Sequence, residues 1–381
     1  MDFDYVVMPA IILAIGILVV LLSIRRICSL STTNFRTWRK MFEYVLLSIV
    51  ALVAAAVVVS SSYNAIAVHQ FWATNPPPGA FYIVNGHRMH MNCTGSGSPT
   101  IILEAAVGDD ALIWGGVQPV LSETTRVCSY DRAGHGWSEA LPGPRDADHI
   151  AAELHALLLQ AKVTGPIVLM GHSIAGLYMR EYASRYPEEL AGIVFVDVST
   201  PLQDEDPAVK AVDSKTPTRW ISMLLLRARY IAGVPRLTGQ CSRYMPGFRE
   251  RARMILLAED LCDFPFHAVA AEMDSFNQSG HETVHTGPYG ALPILIFSQD
   301  VTTMRLPVSA QQTADLAKAF DQMQEDLKKL STRSRRIIAN RSGHYVQLSR
   351  PDLIRTEVPL FIEQIRGTAP QPTNYGSTVT E

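Results

Sequence analysis

From Pro166 to Tyr182 the chain reads Pro-Ile-Val-Leu-Met-Gly-His-Ser-Ile-Ala-Gly-Leu-Tyr-Met-Arg-Glu-Tyr. An unbroken apolar run ending at glycine suits a strand buried on both faces, and the residues after Ser173 suit a helix. Between them the chain must turn sharply. Gly171, Ala175 and Gly176 are small enough to let strand and helix approach, and Ser173 is left in a strained elbow that aims its hydroxyl outward. The helix start behind it offers backbone N–H groups and a positive dipole end to a developing oxyanion. A fold that accepts this segment must lay strands beside helices in alternation.

The rest of the chain supplies that alternation. Phe81–Val84 and Arg88–Asn92 flank the Asn85-Gly86 turn as short strands. Thr100–Leu103, Arg126–Tyr130, Ile167–Met170, Gly192–Val196, Pro293–Phe297 and Arg336–Ala339 are further strand candidates. Ala147–Ala161 has helical periodicity, with Ile150, Leu154, Leu157 and Leu158 on one face, and Asp352–Ile365 is a last amphipathic helix. The expected fold is α/β, a mostly parallel central sheet with helices on both faces. Residues 203–287 break the rhythm: this stretch is helical in pattern and rich in arginine (Arg227, Arg229, Arg236, Arg243, Arg249, Arg251, Arg253). It is expected to form a helical lid inserted between core segments 76–202 and 288–366. The polar residues 367–381 are expected to be a disordered tail.

Residues 1–75 have a different character. Tyr5–Ile24 is apolar without a charge and long enough to cross a bilayer. A second run centred on Val45–Val59 reaches spanning length over about residues 42–62. Arg25, Arg26, Arg36, Arg39 and Lys40 lie between the two runs, and short loops rich in Lys and Arg stay cytoplasmic. Two spans with the larger domain extracytoplasmic is the favoured topology. A cleaved signal ending near Ala65-Ile66-Ala67 is the alternative, and either exports the domain. Net charge is −3 and no basic block follows residue 76, so nucleic acid is not an expected partner. Export suits the cysteines: beyond Cys28 there are four, which either form two disulfides, with Cys93–Cys128 and Cys241–Cys262 closing the shortest loops, or stay as reduced buried thiols.

A serine nucleophile needs a base, a group that orients the base, and oxyanion donors. His344, in Arg341-Ser342-Gly343-His344-Tyr345, follows the strand Arg336–Ala339 and is positioned to serve as the base. The orienting acid belongs on a loop between Ser173 and His344. Asp300, after the strand Pro293–Phe297, is the first choice, and Asp197, after Gly192–Val196, is the alternative.

With these residues in place the chain closely resembles the α/β-hydrolase fold family over roughly residues 76–366. Leu103-Glu104-Ala105-Ala106-Val107-Gly108 followed by Trp114 is similar to the family's oxyanion segment. Tyr130-Asp131-Arg132-Ala133-Gly134-His135-Gly136-Trp137-Ser138 resembles its Asp-Arg-x-Gly-x-Gly-x-Ser turn. The Gly171–Gly176 segment is the elbow, and Ser342-Gly343-His344 through Pro351 is the terminal histidine block. The resemblance implies Ser173 as nucleophile, His344 as general base, and the backbone N–H groups of Val107 and Ile174 as the oxyanion hole. It also implies an acyl-enzyme route to ester or amide hydrolysis without metal or organic cofactor. Three features depart from the family's pattern: Ala175 replaces the usual Gly, Ala105-Ala106 the usual His-Gly, and Ser298-Gln299-Asp300 lacks the usual Gly-x-x-Asp spacing. Asp131 and Arg132 are expected to brace a turn, and His135 and His172 to line or pack. A small-molecule or lipid-like acyl substrate is the expected partner; the lid's Met223-Leu224-Leu225-Leu226 beside its arginines suggests an amphiphilic one, the alternative being that these residues simply pack the lid on the core.

Two other functions compete. His281-Glu282-Thr283-Val284-His285 matches His-Glu-x-x-His, in which two imidazoles one helical turn apart hold zinc and Glu activates water. Glycine before it and Gly287-Pro288 after it leave little helix to carry that pair. The second is a binding scaffold of the same fold that no longer turns over substrate.

Overall fold

The computed structural model describes residues 3–31, 38–213, 219–242 and 262–381. Arg36 of the basic loop and Arg243, Arg249, Arg251 and Arg253 of the insertion lie outside the described residues. The chain forms two compact units. One holds the first 76 residues with described residues 219–242 and 262–264, and the other holds the remainder.

The first unit is built on helices α1 (Phe3–Ser31) and α2 (Trp38–Thr74), both long and apolar enough to cross a membrane. They pair antiparallel: Gly16 leaves room for Val58, and Arg26 donates to Glu43 at 2.8 Å. Helix α2 continues through Ala65-Ile66-Ala67, where Ser61, Asn64 and Val68 are buried. Part of the expected lid packs here. The end of helix α5 (Arg219–Ile231) and the turn after it meet α2: Asn64 Nδ2 donates to the Tyr230 carbonyl at 3.1 Å, and Arg236 Nε donates to Asn64 Oδ1 at 3.1 Å. Ser60 donates to the Ala232 carbonyl and Trp72 to Asp263. Gly233, at φ +72°, is required there, because a Cβ would stand 2.9 Å from that of Asn64. The Cys241–Cys262 disulfide ties together the two ends of the insertion that reach this unit.

The second unit is a nine-stranded sheet in the order β1-β2-β4-β3-β5-β6-β7-β8-β9 among the described residues. The strands are β1 (Ala80–Val84), β2 (His87–Thr94), β3 (Thr100–Glu104), β4 (Val127–Tyr130), β5 (Ile167–His172), β6 (Leu190–Val196), β7 (Ile294–Gln299), β8 (Ser334–Ala339) and β9 (Thr378–Thr380). β1 and β2, and β2 and β4, pair antiparallel, while β4 through β9 run parallel. Helices α3 (Ala147–Gln160), α4 (Ala175–Arg185), α6 (Phe266–Asp274), α7 (Phe276–Thr283), α8 (Ala310–Asp326) and α9 (Pro351–Arg366) belong to this unit. Strands β3 and β5 are buried along their whole length, as a parallel sheet covered on both faces demands. Two apolar clusters result. Ile102, Leu169, Ile193 and Ile296 pack with α3 through Leu154 and Leu157. Leu103, Val168, Val194 and Phe297 pack on the opposite face with α9 through Ile354, Val358 and Ile362. Cys93 and Cys128 are register partners across β2 and β4 and are disulfide-bonded.

One expectation is corrected at the C-terminus. Residues 367–381 are not a disordered tail in the structure, because they return to the sheet as β9 on the β8 edge. Lys328 Nζ donates to the Gly376 carbonyl at 2.7 Å and to Thr378 Oγ1 at 2.8 Å. The free edge of β8 offers unpaired backbone groups, and a Thr-Val-Thr segment is suited to cover them.

Candidate active site

Ser173 stands one residue beyond β5 at φ +58°, a left-handed conformation that side chains rarely adopt. Neighbours enforce it. The Ser173 carbonyl accepts from Gly176 N at 3.0 Å and Ser199 N at 2.7 Å. Gly171 must be glycine, since a Cβ would lie 2.7 Å from the Ala175 Cβ, so the missing methyl on the strand makes space for the extra one on the helix. At Gly176 a Cβ would lie 2.5 Å from Val198 Cβ and 2.6 Å from the Ser199 carbonyl.

His344 lies on the loop after β8, with its imidazole partly open to solvent. Its Nδ1 is 2.6 Å from Asp197 Oδ2. Because a carboxylate accepts, Nδ1 carries the proton, and Nε2 is free to take one. Asp197 is buried, at φ +46° directly after β6, and its Oδ1 accepts from Gln299 N at 2.9 Å. His172, next to Ser173 in the chain, donates Nε2–H to the His344 carbonyl at 3.0 Å. The two imidazole centroids are 4.5 Å apart. Burial, then the neighbouring His344, push the His172 pKa well below the usual imidazole value, which keeps it neutral. These contacts draw the serine and histidine loops together, although no direct Ser173–His344 hydrogen bond is present among the described residues.

The expected acid is corrected. Asp300 does not reach His344. Its Oδ1 accepts from Thr302 N at 3.1 Å and Thr302 Oγ1 at 2.6 Å, and its Oδ2 from Arg341 N at 3.0 Å. The Thr302 hydroxyl foremost holds its carboxyl below the ordinary range. It caps a short turn and braces the histidine loop from outside. Asp197 is the carboxylate that bonds His344, although the strand before it, β6, is one strand further from β8 than β7 is.

Around Ser173 the predicted oxyanion residues share one cluster: Ile174 packs with Ile150, Leu177 and Tyr178, and Val107 packs against it. Asp131 braces its turn as expected, accepting from Ala111 N at 2.8 Å, Trp137 N at 3.0 Å and His90 Nδ1 at 2.8 Å. Burial pushes the His135 pKa down to about 4, leaving it neutral. Arg132 does more than a turn requires, reaching beneath Ala105 and Ala106 to Glu104 and Glu272. Nothing in the sequence pattern marked Glu272, which comes from the insertion. Asp109 was also missed: burial raises its carboxyl to about 7 against the opposing pull of Arg132, His344 and the Tyr345 hydroxyl. A carboxyl raised from the unfolded value favours folding when protonated, so it weakens stability progressively from about pH 4 to about pH 7. Thermal melts of Asp109→Asn should therefore show a gain over wild type at pH 8 that vanishes near pH 4. A constant offset across that range would refute the assignment.

The zinc arrangement is not assembled. Helix α7 ends at Thr283, leaving His285 outside it. Glu282 accepts from Asp148 N at 3.1 Å and Gln278 Nε2 at 2.9 Å, and His281 sits 3.4 Å from Glu205. Among the described residues no group of three His, Cys, Asp or Glu side chains could hold a metal ion.

A family profile described as "Alpha/beta hydrolase family" matches residues 95–357. A probable transporter, efuK, of Hormonema carpetanum is 25% identical over 323 residues, covering 78% of this chain and 44% of the relative. An uncharacterized protein of Schizosaccharomyces pombe is 30% identical over 239 residues, covering 61% of this chain and 40% of the relative. An AB hydrolase superfamily protein of Gibberella zeae is 26% identical, covering 70% and 87%. The chain thus spans about half the length of the first two of these curated relatives. Among solved structures, a thermophilic esterase from Thermogutta terrifontis superposes with a TM-score of 0.54 at 18% identity, covering 76% of this chain and 99% of the esterase. A putative ancestral haloalkane dehalogenase gives 0.55 at 15% identity over 76% and 99%. At these identities the likeness speaks for the fold alone.

Proposed function

This chain belongs to the alpha/beta hydrolase family, and from that premise we propose that it is a serine hydrolase, held at a membrane by α1 and α2, that cleaves a carboxylic ester or amide through an acyl-enzyme. The observation that carries the reading is the His344–Asp197 pair at 2.6 Å, tied through His172 to a serine in a left-handed elbow.

In this mechanism His344 Nε2 takes the Ser173 proton as Oγ attacks the substrate carbonyl. Asp197 holds Nδ1–H and stabilises the imidazolium that forms. The backbone N–H groups of Ile174 and Val107 receive the oxyanion. The imidazolium then protonates the leaving alcohol or amine. Water, deprotonated by the same imidazole, releases the acid and frees Ser173. An ester is favoured over a peptide, and an amphiphilic acyl chain over a soluble one. The support is the insertion's exposed Ile221, Leu224 and Leu225 on α5, which shares a unit with α2.

Membrane attachment rests on two helices whose lipid-compatible faces are exposed, with Ile15, Leu18, Leu21 and Leu22 on α1 and Leu52, Val53 and Val59 on α2. Helix α2 has 37 residues, about 55 Å, against a hydrocarbon core of about 30 Å. Its basic side, Arg39 and Lys40, would face the cytoplasm, and the disulfide-bearing part would lie outside.

The test is fluorophosphonate labelling of membranes carrying the full chain, wild type beside Ser173→Ala. The expected result is a labelled band in wild type that the substitution abolishes while thermal unfolding is unchanged. A folded wild-type protein that takes no label would defeat the reading in favour of a binding scaffold, and undiminished labelling of Ser173→Ala would defeat it in favour of another nucleophile.

A further inference from the structure

We infer that Arg132 is a positioning residue for the oxyanion segment, holding the backbone of residues 105–107 from behind so that the Val107 N–H is presented to the substrate. The inference rests on the serine-hydrolase reading for its catalytic consequence, but its geometry stands on the structure.

All five guanidinium N–H bonds are engaged. Nε donates to Glu272 Oε1 at 2.7 Å and Nη2 to Glu272 Oε2 at 2.9 Å, while Nη1 donates to Glu104 Oε1 at 2.8 Å. The remaining two go to backbone: Nη1 to the Ala105 carbonyl at 2.6 Å and Nη2 to the Ala106 carbonyl at 2.8 Å. Arg132, Glu104 and Glu272 are all buried, and the guanidinium also lies 5.4 Å from the centroid of Tyr178 on α4. Against the upward push of burial, Arg132 holds the Glu272 carboxyl low, whereas burial raises that of Glu104, which also accepts from Tyr130.

Peptide planarity turns this clamp into an orientation. In a trans peptide the C=O and the following N–H point in opposite directions. Drawing the Ala106 carbonyl toward Arg132 therefore directs the Val107 N–H away from it, and drawing the Ala105 carbonyl inward does the same for the Ala106 N–H. No hydrogen bond among the described residues uses the Val107 N–H. Val107 packs against the cluster that contains Ile174, the residue carrying the other proposed donor. With Ala105-Ala106 at this turn, no side chain of the segment itself can fix its peptide planes, and a buried five-donor fork does so instead. Lysine cannot substitute, since its three donors on a single nitrogen cannot span two carbonyls and two carboxylates.

The experiment compares full-length wild type, Arg132→Lys and the charge-balanced pair Arg132→Met/Glu272→Gln in detergent micelles, using a p-nitrophenyl acyl ester for turnover. Loss of one oriented oxyanion donor predicts kcat lower by about 100-fold with KM within about threefold. Hydrogen exchange should accelerate in the peptide spanning residues 105–109 and stay unchanged in those spanning Ser173 and His344. The double variant keeps the comparison available if the uncompensated carboxylates prevent Arg132→Lys from folding. Wild-type kcat in either folded variant, or unchanged exchange at 105–109, overturns the inference. Failure of the hydrolase reading looks different: wild type itself turns over no ester, and the exchange measurement then decides whether Arg132 holds the segment.

Discussion

Asp197→Asn should lower kcat by about four orders of magnitude, the scale on which losing a histidine's orienting carboxylate acts, while Asp300→Asn should cost less than tenfold. The two substitutions are equal in chemistry, each exchanging one carboxylate oxygen for an amide nitrogen. They differ in what that oxygen does. Asp197 Oδ2 accepts from His344 Nδ1, so an amide there either presents N–H to an N–H or forces the proton onto Nε2, where it blocks uptake from Ser173. Asp197 Oδ1 is occupied by Gln299 N, so the side chain cannot simply flip to recover an acceptor toward the imidazole. Asp300 serves Thr302 and Arg341 at the surface, and asparagine retains an acceptor for at least one of them. Steady-state kinetics of the two variants on one ester substrate decide the matter. A larger loss in Asp300→Asn would return the role to the residue favoured by position alone.

The largest stability effect is expected from Asp131→Ala, about 3–5 kcal/mol, because removing one partner strands a buried charge. His90 Nε2 faces the Pro78 carbonyl at 2.5 Å and its Nδ1 faces Asp131 at 2.8 Å. Both partners accept, which favours a proton on each ring nitrogen and so the charged ring. Burial opposes that charge, but Asp131 and the Pro78 carbonyl outweigh it and raise the His90 pKa. Truncation also leaves the Ala111 and Trp137 N–H groups without an acceptor. A raised histidine pKa contributes stability below the unfolded value of about 6.5, and the contribution is lost as pH rises through the folded value. The gap between wild type and Asp131→Ala should therefore be wider at pH 6 than at pH 9 in chemical denaturation. A gap below 1 kcal/mol at pH 6 would mean that the turn is held by other contacts.

Local features were legible in the sequence because their physics is local. The apolar run ending in Gly171, the left-handed serine, the alternation of strands and helices, and the cysteine pairing over short loops follow from neighbours along the chain. So do the two long apolar helices. The same reasoning falls short for the carboxylate that bonds His344. Asp197 and Asp300 each directly follow a strand, and only the folded paths of the loops after β6, β7 and β8 set which carboxylate bonds His344.

The partners of Arg132 show the same division across a longer distance. Glu272 lies 140 residues away on the insertion, and no spacing rule connects the two. The insertion itself is split, with α6 and α7 in the sheet's unit, and α5 and the turn after it bonded to Asn64 and Ser60 of α2. The C-terminal residues are polar enough to read as disorder, yet they pair with β8 because an exposed parallel edge is costly to leave open. Covalent neighbours dictate turns, periodicities and the elbow that holds Ser173. Which distant side chains complete the site depends on burial and strand order, and these exist only once the chain has folded on itself.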